Sequence, residues 1–479
     1  MTRRSPSGSR RNPRPSAGLG PRLSPQALVL PGFLAAAIVL GGASAAGPIP
    51  NLLLQLLAIG LAFMVVIRPG HRQFSASEHF LLWIGLAFLA IGLLQLFPLP
   101  PSLWSALPDR GGVVREFHLL NAPLPWLPLS LNPAGTIASL LGLTIVAGTF
   151  ALVHKASDAN LAGLAWTIVA LAAVAVLVGF LQLASGGHSP LYLYSITNRD
   201  QPVGFFANSN HLATLELAAM PFLAALATRS GSRDDQVQGN ATNYVLLTAF
   251  AALLLLGLVT NGSLAGLGLL LPTLIGCFSL VRGGGRSRRI ALIGLAVAMV
   301  LVVGFFILAL NSPILSGFAQ TQISAAPTSR IGFIRHSLAA IGAYFPVGSG
   351  LGSFIAVFPS FEDPSNVESV FVNHAHNDYL EIILELGLPG MILIAVFLGW
   401  WVWRTLSIWR NRESGALLRA ATVASGVVLA HSLVDYPLRT AAIAAIFTAC
   451  CAIMARPGRT PPPPPVVKDD LPPARHLSA

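Results

Sequence analysis

Long apolar segments recur along almost the whole chain, and they constrain its fold more than any other feature. A helix needs about 20 predominantly apolar residues to cross the hydrocarbon core of a bilayer. The twelve candidate segments are residues 27–46, 51–67, 79–97, 134–153, 161–184, 209–228, 243–260, 263–281, 290–310, 386–403, 418–434 and 438–455. The sequence therefore predicts an all-α, polytopic membrane protein with about twelve transmembrane helices.

Composition excludes an ordinary soluble enzyme. The chain is 54% hydrophobic and 10% charged, whereas soluble globular domains are about 25% charged. Cys277, Cys450 and Cys451 all lie inside apolar runs, so we expect neither a disulfide framework nor a soluble zinc site. The net charge of +11 would suggest nucleic acid in a soluble chain. In a membrane protein the positive-inside rule explains it, and no nucleic-acid partner is expected.

The distribution of Lys and Arg predicts the orientation of the spans. With the N-terminus inside and twelve spans, 23 of the 29 cations lie on the cytoplasmic side, which is the pattern of the positive-inside rule. The six outward cations are Arg110, Arg115, Arg199, Arg330, Arg335 and Arg439. Both termini are therefore expected inside.

The domain organisation follows from these spans. Residues 1–26 are expected to be a disordered, basic cytoplasmic tail, because they are polar and rich in Pro, Ser and Arg and lack a good signal-peptidase site. Residues 27–310 would hold helices 1–9, and residues 311–378 a large periplasmic loop. Residues 379–455 would hold helices 10–12, with a His motif at their start, before a Pro-rich cytoplasmic tail at 456–479.

The strongest candidate site lies where the long outer loop meets the tenth span. The ionisable residues there are His374, His376, Asp378, Glu381 and Glu385. Inserting such a group at membrane depth costs about 2.5–3.5 kcal/mol of free energy, so its presence there indicates a function. If residues 374–385 are helical, His374, Asp378, Glu381 and Glu385 share one face of the helix, and His376 lies on another. A polar helix start capped by Asn377 or Asp378 is the structural alternative. A His-x-His metal site lacks a third ligand at suitable spacing, so no metal is predicted.

Three further clusters could contribute to this site. Asn208 and Asn210 precede the sixth span, where they could cap the helix or bind sugar hydroxyls. Arg330 and Arg335 are scarce outward arginines, which could bind phosphate in fork geometry or contact lipid headgroups. The Gly-rich run at 346–353 follows no predicted strand, so it is a weak phosphate cradle.

The last cluster is the stretch HSLVDYPLR at 431–439, at the outer junction of the last two spans. It places His431, Asp435 and Arg439 within nine residues. These groups could serve the site, or they could form a structural ion-pair corner.

The spacing around His376 resembles a known signature. His376-Asn377 is followed by nine residues and then by Gly387-Leu388-Pro389-Gly390, and this order resembles the signature of O-antigen ligases and the wider O-antigen ligase/polymerase family. The similarity extends to the stretch GFFANSNHLA from Gly204, to Ser329-Arg330 before the Gly-rich run, and to HSLVDYPLR. It covers about residues 130–455.

The resemblance implies a metal-independent membrane glycosyltransferase of the GT-C type, without a cofactor, in the bacterial inner membrane. The donor would be a glycan on undecaprenyl diphosphate, presented at the periplasmic face. The acceptor is lipid A–core of lipopolysaccharide in ligases, another lipid-linked repeat in polymerases, and a protein Ser or Thr in O-linked oligosaccharyltransferases. By position, His376 would be the essential histidine and Arg330 the outer-loop arginine for the diphosphate.

One departure from the family pattern affects the diphosphate site. Related sequences usually carry Ser-Arg-Gly near the start of the eighth span, whereas this chain has Ser263-Leu264-Ala265. A second diphosphate-binding arginine would have to come from Arg199, Arg335 or Arg439. The predicted diphosphate-binding set is Arg330, Arg335 and Arg439. The residues predicted to bind the glycan or acceptor are Asn208, Asn210, Asn377, Asp378 and Glu381.

Several functions remain open at this point. A single displacement with inversion fits the chain, because its inner loops carry no DxD motif for a nucleotide sugar. A Wzy-type polymerase of O-antigen or exopolysaccharide repeats would use the same chemistry. A polysaccharide transporter is less favoured, because we find no inverted repeats and the polar residues crowd the outer face. A non-catalytic partner of a polysaccharide machine is the third alternative.

Overall fold

The computed structural model describes residues 25–43, 47–67, 72–230, 237–280, 332–362 and 372–457. The elements in chain order are α1 (Pro25–Leu40), α2 (Pro48–Ile67), α3 (Ala76–Leu94), β1 (Pro98–Leu99), α4 (Pro101–Trp104), α5 (Gly111–Leu119), β2 (Leu127–Pro128), α6 (Pro133–Lys155), α7 (Asp158–Ser185), α8 (Ser209–Ser230), α9 (Val237–Thr260), α10 (Leu264–Leu280), α11 (332–344), α12 (Phe354–Val357), α13 (Asp378–Arg410), α14 (Ala416–His431) and α15 (Ala441–Ala455). Two 3₁₀ turns, Phe358–Phe361 and Pro437–Arg439, complete the list. The described chain is therefore mostly helical, as predicted.

The apolar helices agree with the predicted spans wherever the chain is described. Six are long and apolar enough to cross a membrane: α2, α3, α6, α7, residues Ser209–Thr228 of α8, and α13. Five shorter apolar helices are Leu28–Leu40, Val245–Thr260, Leu264–Leu280, Ala416–His431 and Ala441–Ala455. The predicted span at 290–310 lies outside the described residues, as do nearly all of both tails and much of the loop at 311–378. The count of twelve and the GT-C topology therefore stay predictions.

Helix α8 forms the centre of the bundle. In its spanning stretch, 83% of the residues are buried, against α7, α9, α10 and α14. Ala213, Ala218, Ala219 and Ala225 are fully buried along it. In lipid there is no hydrophobic driving force between helices. Small residues let the backbones approach closely, and the resulting van der Waals packing holds the helices together. The N-terminal end of α8 therefore has a rigid support.

The Gly-rich run at 346–353 is a packing device and not a phosphate cradle. Its backbone N–H groups are occupied by the protein itself: Ser349 N donates to Leu384 O at 2.9 Å, Gly350 N to Glu385 O at 2.9 Å, and Leu351 N to the Gln95 side chain at 2.8 Å. The first two donors satisfy backbone carbonyl groups of α13, and the third satisfies the side-chain oxygen of Gln95. The run thus joins the outer loops to the helix that follows the His motif.

Helix α13 is kinked at Gly387, where the run crosses it. Gly387 has φ +62° and ψ −141°, a conformation that only glycine adopts readily. The break frees the N–H of Leu388, which donates to Pro346 O at 2.8 Å. A Cβ at Gly387 would lie 2.2 Å from Pro346 O, and a Cβ at Gly348 would lie 2.6 Å from Glu385 O. Both glycines are therefore required by close backbone approach.

We expect Gly387→Ala and Gly348→Ala each to destabilise the protein by about 1–3 kcal/mol, because each forces a strained backbone conformation and a clash. The measurement is the apparent Tm of the protein extracted in mild detergent. Gly399→Ala is the matched control on the same helix, because no heavy atom lies within 4 Å of its added Cβ. A Gly387→Ala variant that melts like the parent would contradict this account of the kink.

Candidate functional site

The His motif occupies an extended segment that ends at the cap of α13. Asn377 is the N-cap, and its side-chain oxygen accepts from the N–H groups of Tyr379 and Leu380. Its Nδ2 donates to Leu433 O at 2.8 Å. The helix therefore begins at Asp378, so the helical geometry considered for residues 374–385 holds only from Asp378 onward, because the Asn377 cap fixes the start. Asn377 therefore caps the helix, which is the structural role that the sequence offered as the alternative.

His376 stands just before this cap in a left-handed backbone conformation, φ +51°. Its Nδ1 lies 3.3 Å from Oδ1 of Asp435, and its side chain is 25% exposed. The ring stacks on Phe333, with centroids 5.3 Å apart and planes 12° apart, and it meets Tyr436 edge-on at 4.9 Å. A left-handed conformation is unusual for a residue other than glycine. Asp435, Phe333 and Tyr436 thus contact the imidazole on three sides, and the rest of the ring is accessible to solvent.

Asp435 fixes the tautomer of His376. The carboxyl is fully buried, and burial by itself would raise its pKa, but the hydrogen bond with His376 holds the pKa below its ordinary value. An ionised carboxylate only accepts hydrogen bonds. We therefore assign the proton of neutral His376 to Nδ1, which leaves Nε2 able to accept a proton.

His374, two residues earlier, contacts the first turn of α13. Its Nδ1 lies 2.8 Å from Oε1 of Glu381. The other oxygen of Glu381 accepts from Ala375 N at 2.9 Å. The His374 ring also packs against Tyr436, with centroids 4.4 Å apart. His374 therefore ties the extended segment to the first turn of α13.

Arg439 is held by three buried carboxylates on the face of α13 that the sequence predicted. Its Nη1 lies 3.0 Å from Glu385 and 3.5 Å from Glu381, and its Nε lies 3.6 Å from Asp378. The Asp378 carboxylate also accepts from Ser432 Oγ at 2.7 Å. We call Arg439 and these three acids the acidic cluster. One guanidinium faces three acids, so the cluster has no excess positive charge to bind a diphosphate. The geometry therefore favours a structural ion-pair role for Arg439 over a diphosphate-binding role.

Of the other candidate arginines, the structure describes Arg335 and Arg199. Arg330 lies outside the described residues. Arg335 is exposed on α11, two residues after the Phe333 that stacks on His376. Arg199 is also exposed, and it donates to Gly187 O at 2.7 Å. Residues two apart on a helix do not share a face, so Arg335 does not lie on the face of α11 that contacts His376.

The asparagines at the start of α8 face the same region. The Asn208 side chain accepts from Asn210 N at 2.9 Å and donates to the Tyr436 hydroxyl at 3.5 Å. It is buried, whereas Asn210 is partly exposed. Asn208, Asn377, Asp378 and Glu381 thus have polar atoms occupied by the protein, so they can position the site more readily than they can touch a glycan.

The structure adds residues that were not in the predicted site. Asp435 and Tyr436 belong to the HSLVDYPLR stretch that the sequence singled out, and they bridge to His376 across 59 and 60 positions. The ring of His211, fully buried at the start of α8, meets Tyr436 edge-on at 5.0 Å. Tyr436 therefore packs against three imidazoles. Phe333 carried no signal in the sequence. In the described ranges, no group of three or more metal-ligating side chains converges.

We expect Arg439→Ala to cost about 3–5 kcal/mol of stability, because it leaves buried carboxylates without a counter-charge. The measurement is the yield of monodisperse protein and its apparent Tm in detergent. Arg335→Ala is the matched control, since that arginine is exposed and its loss should leave the Tm unchanged. An Arg439→Ala protein that stays as stable as the parent would return Arg439 to the diphosphate-binding set.

Comparison with known proteins agrees with the resemblance seen in the sequence. The probable peptidoglycan glycosyltransferase FtsW of Thioalkalivibrio sulfidiphilus (strain HL-EbGR7) is 30% identical over 221 residues, which cover 43% of this chain and 48% of that protein. The chain thus spans about half the length of the curated relative it matches. The family model described as O-antigen ligase matches residues 249–395, a segment that includes His376 and the Gly387 kink. The resemblance is confirmed over residues 249–395, which match the O-antigen ligase family model.

Proposed function

We propose that this chain is a membrane glycosyltransferase of the O-antigen ligase type, which transfers a glycan from undecaprenyl diphosphate to an acceptor hydroxyl at the periplasmic face. The observation that carries the proposal is the contact between His376 and Asp435. A partly exposed imidazole beside a buried, ionised carboxylate is the arrangement that a general base requires. The match of residues 249–395 to the O-antigen ligase family supports the reaction class.

In the proposed step, the acceptor hydroxyl gives its proton to Nε2 of His376 while its oxygen forms a bond to the anomeric carbon. The bond from that carbon to the diphosphate oxygen breaks, and undecaprenyl diphosphate leaves with the electron pair. Asp435 stabilises the imidazolium that forms. One in-line displacement inverts the anomeric configuration, and the proton then passes to solvent.

The leaving group needs cations that the acidic cluster does not supply. We assign the diphosphate to Arg330, through the family resemblance, and to Arg335, which is exposed on the helix that carries Phe333, the residue stacked on His376. Guanidinium groups bind phosphate oxygens in two-point geometry. They would stabilise the charge that develops as the diphosphate departs. Arg439 takes a positioning role in this scheme, with Asp378, Glu381 and Asn377.

A Wzy-type polymerase is the second candidate, because it would use the same base and the same donor. The two activities differ in the acceptor: lipid A–core for a ligase, and a second lipid-linked repeat for a polymerase. Incubation with the lipid-linked glycan alone separates them. Products lengthened by whole repeats would favour the polymerase, whereas transfer only after addition of lipid A–core would favour the ligase.

His376→Ala should lower transfer by about 10²–10⁴-fold, because the loss of a general base typically has that effect. Asp435→Asn should lower transfer as well, because an amide no longer fixes the tautomer or stabilises the imidazolium. The measurement is transfer from purified undecaprenyl-diphosphate glycan by protein reconstituted in liposomes. His374→Ala is the matched control, and we expect a milder loss. Parent-level activity in His376→Ala would remove the base assignment.

Arg330→Lys should impair transfer although it keeps the charge, because the planar fork is lost. Arg330→Ala should be worse, since the leaving-group charge then goes uncompensated. Arg335→Lys and Arg335→Ala should follow the same order. The assay is run in EDTA, which should leave the parent rate unchanged. Loss of activity in EDTA and its return with Mg²⁺ or Mn²⁺ would replace the arginine scheme by a carboxylate–metal site.

A further inference from the structure

A cavity lies on the flank of the helix bundle, and its lining runs from Arg72 and Lys155 to Leu438 in the turn before α15. It has a volume of about 800 Å³ and lies between α2, α3, α6, α13 and α15. Its walls are almost entirely apolar, with Val65, Leu82, Val146, Phe397 and Phe447 among them. We call it the flank cavity. Nothing in the proposed transfer reaction uses it.

The flank cavity opens sideways, toward the region that lipid would occupy. On its lining, Val66 is 76% exposed and Leu86 is 51% exposed. Only 17% of the α3 span is buried, so this helix stands away from the bundle. At Gly85, on the cavity wall, an added Cβ would meet no heavy atom within 4 Å. The space beside α3 is therefore unfilled by protein, and a hydrocarbon chain can enter it from the side.

The length of the flank cavity matches one leaflet of a bilayer. Its lining on α6 runs from Leu143 to Lys155, which is about 18 Å at a rise of 1.5 Å per residue. The hydrocarbon core of a bilayer is about 30 Å thick. The cavity is thus slightly longer than half of that core, as required for the acyl chains of a lipid in a single leaflet.

The charged side chains on the cavity lining lie at one end. Arg72 and Lys155 mark this end, with the His154 ring stacked on Phe74 at 3.9 Å. Arg72 lies 2.7 Å from the buried Glu78 and is 26% exposed. Arg456 donates to Val153 O at 3.4 Å. Among the described residues at this end, three cations, Arg72, Lys155 and Arg456, lie near two carboxylates, Glu78 and Asp158.

We propose that the flank cavity binds an anionic glycerophospholipid. Its acyl chains lie along α6 and α3, and its phosphate lies at the Arg72 and Lys155 end. Apolar walls along one leaflet with a cationic end match an amphiphile of that charge, and basic groups beside a membrane helix attract anionic headgroups. The bound lipid fills the gap beside α3 and braces this helix against α6 and α15. The proposal is independent of the transfer activity.

Filling the cavity tests the proposal. Gly85→Phe places a ring in the empty space, whereas Gly142→Phe on α6 is the matched control, because its added Cβ is also free of contacts and Gly142 does not line the cavity. The delipidated protein is titrated with phosphatidylglycerol in mild detergent, and bound lipid is counted by native mass spectrometry. We expect one phosphatidylglycerol per parent chain, at least a tenfold weaker affinity in Gly85→Phe, and parent-like binding in Gly142→Phe. Equal binding by the parent and Gly85→Phe would overturn the proposal.

A second titration tests the headgroup. Phosphatidylethanolamine should bind the parent at least several-fold more weakly than phosphatidylglycerol, and Lys155→Gln should reduce that preference. Arg410→Gln is the control, because Arg410 is an exposed cation at the end of α13 that does not line the cavity. Equal affinity of the parent for both phospholipids would overturn the proposal. The proposal would also be overturned if a polyprenyl phosphate co-purified with the parent and were lost from Gly85→Phe. The cavity would then bind a polyprenyl chain like that of the proposed donor.

Discussion

The candidate site depends on the burial of Arg439 among Asp378, Glu381 and Glu385. Three carboxylates on one face of α13 could not remain ionised in an apolar environment without a counter-charge. Arg439 comes from the 3₁₀ turn before α15, so the interaction joins two parts of the chain that are more than 50 residues apart. It fixes the start of α13 against the α14–α15 junction. The same junction carries Asp435 and Tyr436, which hold His376. The geometry of the candidate base therefore rests on an ion cluster that need not touch substrate.

A second set of contacts brings the outer loops to the same place. The run at 346–353 donates backbone hydrogen bonds to the carbonyls of Leu384 and Glu385, and the kink at Gly387 lets it approach. The neighbouring helix α11 supplies Phe333, on which His376 stacks. Rigid elements thus surround the imidazole on most sides. A base held in one orientation needs little reorganisation when the reaction occurs, which is the advantage of a preorganised site.

The charged residues of the candidate site fall into two groups, the acidic cluster and the exposed arginines. The carboxylates lie beneath the His376 loop, where they stabilise its fold and favour positive charge. Arg335 is exposed on α11, on the helix that carries Phe333. In the proposed reaction, a donor diphosphate would need positive charge that is not already paired. Arg439 is paired with three acids, so the proposed scheme assigns the diphosphate to arginines outside the acidic cluster.

The sequence by itself predicted the apolar helices that the structure describes, the class of protein and His376 as the candidate base, because hydropathy and the spacing around His376 are local properties of the chain. It also identified the acidic face of α13, since a helical repeat places Asp378, Glu381 and Glu385 together. It did not show that His376 precedes the helix, because the start depends on the Asn377 cap. Only the tertiary structure paired Asp435 with His376, assigned Arg439 to the acids, and left a cavity beside α3. Those outcomes depend on how distant segments pack, and a Coulombic or van der Waals contact between them leaves no trace in local sequence.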